Sequence, residues 1–143
     1  MANNPKASIT ARKNMWSGTS VNSLLGASAT INFYSGTVPT YADSALSGNT
    51  LLASLAMSAT PFGAPSGSAA GDNAVITANA ITAATATATG TATFYRVMDS
   101  AGTPAPHFQG TVGTSGSDIN LGSVAIQSGA QVSLTSYTQT LPA

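Results

Sequence analysis

The sequence predicts an all-β protein, a β-sandwich of about seven or eight strands wired as a jelly roll or Greek key behind an N-terminal arm. Three observations carry that reading. Apolar residues alternate with Ser, Thr and Asn at period two in one run after another. Turn signals rich in Gly, Pro, Asn and Asp recur about every 8–12 residues. Segments with a helical period are few and short. The arm is residues 1–21 and the sandwich residues 22–143.

The arm shows no strong period. It holds Pro5, the basic residues Lys6, Arg12 and Lys13, and the single Trp, Trp16, which is either an anchor for a partner's pocket or a lid over this domain's core. Val21, Leu24 and Leu25 fit one face of a short helix from Ser20, with Gly26 as its C-cap. The first strand runs over 29–35, with Ile31 and Phe33 on one face and Thr30, Asn32 and Tyr34 on the other. Gly36 to Pro39 ends it, and a loop with Tyr41 and Asp43 leads past Gly48 to a strand whose shared face is Leu51, Ala53, Leu55 and Met57.

Residues 61–71 carry too many Gly, Ser and Pro for regular structure. Strand character returns over 72–82 through Val75, Ile76 and Ile81. It continues in Ala84-Thr-Ala-Thr-Ala-Thr89, which puts Thr85, Thr87 and Thr89 on one face and three alanines on the other. One threonine row does not make the stacked array an ice-binding surface needs; a strand of small residues instead lets a second sheet or subunit come close.

The clearest strand is Gly90 to Asp99. Ala92, Phe94, Arg96 and Met98 share one face, and Thr91, Thr93, Tyr95 and Val97 the other. Large apolar groups on both faces predict cover on both, from its own domain on one side and a partner on the other. The return strand runs over 107–112 with Phe108, Gly110 and Val112 inward. A strand over 119–126 breaks at Gly122, and a last strand over 131–141 changes apolar phase near Ser136, where a bulge or bend is expected.

Composition narrows the function. Only 6% of the 143 residues are charged, against about 25% in ordinary soluble domains, so Ser, Thr, Asn and Gly solvate a surface suited to a packed assembly. The apolar fraction leans on Ala, whose methyl contributes about 0.8 kcal/mol on burial against roughly 1.5–3 kcal/mol for Leu or Phe, so a thin core is expected to draw on a neighbouring chain. The formal charge of zero argues against nucleic acid as the main partner. No apolar run reaches the length of a membrane span, and no secretory signal opens the chain, so synthesis and use without export are expected. There are no cysteines, hence no disulfide framework or thiolate metal site.

Nothing in the sequence marks an enzyme or a cofactor. His107 is the single histidine and opens a strand after Pro106, where a half-exposed, hydrogen-bonded ring is ordinary. Asp43, Asp72, Asp99 and Asp118 all stand in turn-like contexts, where a carboxylate bonds the backbone. Arg96 either pairs with an Asp across a subunit contact or snorkels to water past Phe94 and Met98. The candidate contact residues are therefore Lys6, Arg12, Lys13, Trp16 and Arg96.

Several blocks, in this order and spacing, carry a resemblance: Ile31-Asn-Phe-Tyr-Ser-Gly-Thr-Val-Pro39, Asn49-Thr-Leu-Leu-Ala-Ser-Leu55, Phe94-Tyr-Arg-Val-Met-Asp-Ser-Ala-Gly102, Gly110-Thr-Val-Gly-Thr-Ser-Gly-Ser-Asp118 and Val132-Ser-Leu-Thr-Ser-Tyr137. Together they resemble the cement, or decoration, proteins of tailed-bacteriophage heads, over about Leu24 to Pro142. The resemblance implies a jelly-roll homodimer, made in the bacterial host cytoplasm, that clamps major capsid protein subunits on the outer surface of the virion capsid. It implies no catalytic residues. The alternative is a surface binding module, such as a tail-associated receptor or glycan binder.

Overall fold

The structure is a computed structural model that describes residues 6–67 and 74–141, without the side chains of Trp16 and Leu141. In chain order its elements are β1 (Lys6–Ala7), α1 (Ile9–Trp16), α2 (Val21–Leu25), β2 (Thr30–Ser35), β3 (Thr50–Met57), β4 (Ala74–Thr77), β5 (Ile81–Thr82), β6 (Ala84–Thr85), β7 (Gly90–Thr91), β8 (Phe94–Met98), β9 (Pro106–Gly113), β10 (Ile119–Asn120), β11 (Ala125–Ile126), β12 (Gln131–Val132) and β13 (Thr138–Leu141). The fold is all-β, as the alternating pattern requires.

The main layer is a sheet in the order β1-β9-β8-β2-β3-β5, with β10 joining β9 in parallel and every other pairing antiparallel. Against one face lie three two-stranded ribbons, β7–β11, β6–β12 and β4–β13. The core fills the space between. Ile31, Phe33, Ala53, Leu55, Tyr95, Val97, Phe108 and Val112 come from the sheet, and Ala86, Ile126, Val132 and Tyr137 from the ribbon side. Phe62 and Tyr95 pack on Tyr137 with centroids at 5.8 and 5.3 Å, so aromatic rings supply bulk that the alanines cannot.

The strands are more numerous and shorter than expected because long alternating runs are cut. The segment from Gly90 changes layer: β7 pairs with β11 in a ribbon, and after Ala92 and Thr93 the chain enters the main sheet as β8. The last expected strand splits outright, β12 and β13 being separated by residues 133–137. That break produces the phase change from Val132 and Leu134 to Tyr137 and Gln139, all buried. On β3 the shared face expected from Leu51 is wrong by one residue. The pairing shifts between Phe33↔Ala53 and Tyr34↔Leu51, leaving Leu52 as the extra residue of a bulge. Leu52 is fully buried and Leu51 is 39% exposed.

From Lys6 onward the arm packs on its own domain, which an absent period did not disclose. β1 pairs with β9 through Lys6↔Gln109 and Ala7↔Phe108, and Ser8 N donates to His107 O at 2.8 Å. Ser8, itself buried, caps α1 by accepting from Ala11 N at 3.1 Å, and Ala11 is fully buried. The second helix is as expected: Ser20 caps α2, and Gly26 ends it at φ +74°, a conformation that favours glycine. Asn22 fixes the irregular 61–65 segment, its amide giving to Phe62 O and taking from Phe62 N, both at 2.8 Å.

Candidate functional site

Both faces of β8 are covered by its own chain. Tyr95 and Val97 face the core. On the other face Phe94 stacks on Tyr34 at 5.1 Å, and Arg96 lies beneath the loop of residues 36–49. Arg96 is 4% exposed, so it does not snorkel to water past Phe94 and Met98 but ends within its own domain. Its Nε donates to Gln109 Oε1 at 2.9 Å, and Nη2 donates to Ser44 O at 2.7 Å and Tyr41 O at 3.4 Å. Burial lowers the guanidinium's pKa from its usual value, an effect that Tyr34 and Asp43 oppose. No carboxylate stands at ion-pair distance from it among the described residues; carbonyls and an amide solvate the charge instead.

The loop is strapped along its length. Thr93 Oγ1 donates to Gly36 O at 2.6 Å and Asn49 Nδ2 to Thr37 O at 2.9 Å. The next three acceptors lie in succession. Pro39 O takes Gln109 Nε2 at 2.7 Å, Thr40 O takes Lys6 Nζ at 2.8 Å, and Tyr41 O takes Arg96. Asp43 Oδ2 accepts from Ile9 N at 3.1 Å, joining the loop to the first turn of α1. That amide, with the aspartate's own backbone N–H, holds Asp43 below the usual carboxylate range against a small opposing effect of desolvation, and Arg12 adds to the lowering.

What this fixed loop presents is apolar. Tyr41 is 63% exposed, Leu46 40% and Val38 38%, and Ile9 beside Asp43 is 50% exposed. Arg12 and Lys13 lie three and four residues beyond Ile9 on α1, on its side of the helix, and both are exposed. Lys6 is exposed too, its stem reaching Thr40. Three of the expected contact residues thus belong to one surface, Arg96 lies beneath it, and the Trp16 side chain falls outside the described atoms. Sequence reading missed Ile9, Val38, Leu46 and the loop's clamp, Gln109. An apolar residue in a loop was the available signal for Val38 and Leu46, and one among the arm's basic residues for Ile9; Gln109 gave none. Of the loop aromatics, Tyr41 is on the surface while Phe62 is core.

The pair Asp99–His107 has a different character. His107 is 2% exposed rather than half-exposed, and its Nε2 lies 2.8 Å from Asp99 Oδ2. Asp99 Oδ1 also takes the amides of Ala101 and Ala105, at 3.2 and 2.9 Å. Desolvation opposes ionisation of Asp99, yet those bonds carry its pKa below the ordinary carboxylate value. Among the described residues no hydroxyl bonds the ring and Nδ1 has no partner; the bonds the pair does make pin the 99–105 turn. Asp118 likewise bonds backbone, accepting from Thr111 N at 2.8 Å, and Asp72 lies outside the described residues.

Among the described residues no group of three or more His, Cys, Asp or Glu could hold a metal, and no helix is long and apolar enough to cross a membrane. A cleft of about 410 Å³ between residues 120–126 and 130–135 is lined by Asn120, Gln131, Ser133 and methyl groups with neither an aromatic nor a charged side chain. Comparison with protein-family models, curated proteins and solved structures returned no match.

Proposed function

We propose that this chain is a capsid cement protein, a structural clamp on the outside of an assembled phage head. In this reading it is made in the bacterial host cytoplasm, works without a cofactor, and joins neighbouring major capsid protein subunits as a jelly-roll homodimer. The observation that carries the reading is the strapped 36–49 loop, a pre-formed surface of exposed apolar side chains. Low charge and a hydroxyl-rich surface support it, as does the order of the sequence blocks that resemble such proteins.

A clamp of this kind binds only the assembled shell and stabilises it by mass action. Two grips on one dimer raise avidity by about 10²–10⁴ over either alone. A second reading, a glycan-binding module, draws on Tyr41 at 63% exposure beside Asp43. Quantitative mass spectrometry of purified virions tests both. Hundreds of copies per particle, in fixed ratio to the major capsid protein, are expected; a handful would overturn the cement reading in favour of the tail-associated one.

A further inference from the structure

We propose that the surface formed by Ile9, Arg12 and Lys13 of α1 with Val38, Tyr41 and Leu46 of the loop docks a protein surface that is apolar at its centre and acidic around it. The inference rests on the cement reading for the identity of that partner, the outer face of the major capsid protein. Its chemistry comes from the residues themselves. The bond between Ile9 N and Asp43, and that between Lys6 and Thr40 O, bring helix and loop into one continuous patch. Lys6, Arg12 and Lys13, three of the chain's four basic residues, surround it, and the fourth, Arg96, is buried beneath. The one acid in the patch, Asp43, already has an oxygen committed to the helix. An acidic rim on the partner therefore meets unbalanced positive charge, while apolar side chains at its centre find Tyr41 and its neighbours.

Two other occupants fit less well. A second copy docked symmetrically would set the same cations against each other. Its carboxylates at Asp99 and Asp118 are no substitute, since both are engaged within the domain. Nucleic acid would bring charge to every position, whereas the centre here is aliphatic and three cations are few for a phosphate backbone. The loop is also held in place before binding, so little ordering opposes docking.

The test uses heads of the encoding phage assembled without this protein, with occupancy followed as added protein is titrated. Tyr41→Ala is expected to weaken binding about 30-fold at any salt, as loss of a central aromatic anchor does. The double charge reversal Arg12→Glu, Lys13→Glu is expected to weaken it about tenfold near 0.1 M salt. That second effect fades near 1 M salt, where the Debye length falls to about 3 Å. All three side chains are exposed, so an unchanged melting temperature certifies each variant, and Thr85→Ala, exposed on β6, serves as control.

Wild-type binding with undiminished binding of both variants overturns the proposed surface and leaves the cement reading standing. Failure of the wild type to bind heads overturns the cement reading and the named partner with it. Single-stranded DNA held by the wild type and released by the charge reversal, or a dimer in sedimentation that Tyr41→Ala dissociates, overturns the proposal in favour of those occupants.

Discussion

Arg96 and Gln109 stand directly opposite one another on β8 and β9, and the 2.9 Å bond from guanidinium Nε to amide Oε1 makes them one unit. The amide passes its own N–H to Pro39 O, and the guanidinium's outer nitrogen holds Ser44 O, so the pair closes the 36–49 loop without a carboxylate.

Removing either member leaves its neighbours buried and unsatisfied, which costs about 1–3 kcal/mol for each orphaned group. Gln109→Leu is expected to lower the unfolding free energy by about that amount, and Arg96→Met by more, because it strips the donor from Gln109 Oε1, Ser44 O and Tyr41 O together. Urea denaturation measures both, and the double variant should fall short of their sum by roughly 0.5–3 kcal/mol. Strict additivity would show that the two act separately. Limited proteolysis gives a second readout: Arg96→Met should admit cleavage between Val38 and Leu46 under conditions that spare the wild type.

Ser8 tests whether the arm is part of the domain. Its hydroxyl caps α1, so Ser8→Ala is expected to cost about 0.5–2 kcal/mol while its backbone bond to His107 O is kept. Deleting residues 1–8 should cost more, since it also removes the β1–β9 pairing and the Lys6 strap. A truncated protein melting with the wild type would mean that the arm merely rests on the sheet.

Acid stability follows from Asp99. Its folded pKa lies below the unfolded value of about 3.9, so its contribution is fully present above that value and is lost as pH falls through the folded pKa. Stability measured by urea denaturation should decline below about pH 4. Asp99→Asn should be less stable than wild type near neutrality and show a shallower decline in acid. An equally steep acid limb in the variant would assign the effect to other carboxylates.

Gly110 has no room for a methyl. A Cβ there would meet the Tyr95 ring and hydroxyl at 2.7 Å and Asp118 Oδ2 at 2.8 Å, and the ring is wedged against Tyr137. Gly110→Ala is expected to destabilise by about 1–3 kcal/mol, as overpacking of a tight core does. Thermal melting checks this, with Gly122→Ala, where the added methyl meets nothing within 4 Å, as the comparison.

The β class, the α2 helix with its Gly26 cap and the inward faces of Ile31, Phe33 and Phe108 were legible because each depends on neighbours in sequence; of the expected 61–71 breaker segment, residues 68–71 lie outside the described residues. The Leu52 bulge was not, since an inserted residue is defined only by the partner strand's register. Nor was α1: with Arg12, Lys13 and Asn14 around Ala11, the one buried side chain among those described on it, an eight-residue helix held by tertiary contacts shows no regular apolar stripe. For the site, the basic cluster of the arm was visible, and Tyr41 stood out as a loop aromatic. Its meeting with the arm was hidden, because Lys6 and Thr40, or Arg96 and Ser44, are brought together only by folding.

The passage of residues 90–98 from ribbon to sheet has a consequence for how the molecule comes apart. Gly90 and Thr91 are tied to β11, and five residues later the same stretch is the middle of the sheet, flanked by β2 and β9. Peeling away the β7–β11 ribbon pulls on the backbone that seats Phe94 and Tyr95, so neither layer opens independently at this point. Local excursions are then left to the ends of the molecule, and hydrogen exchange at the amides of Ala92 to Val97 is expected to proceed through global unfolding. For a protein read as a clamp, a load taken up by one layer is thereby borne by both.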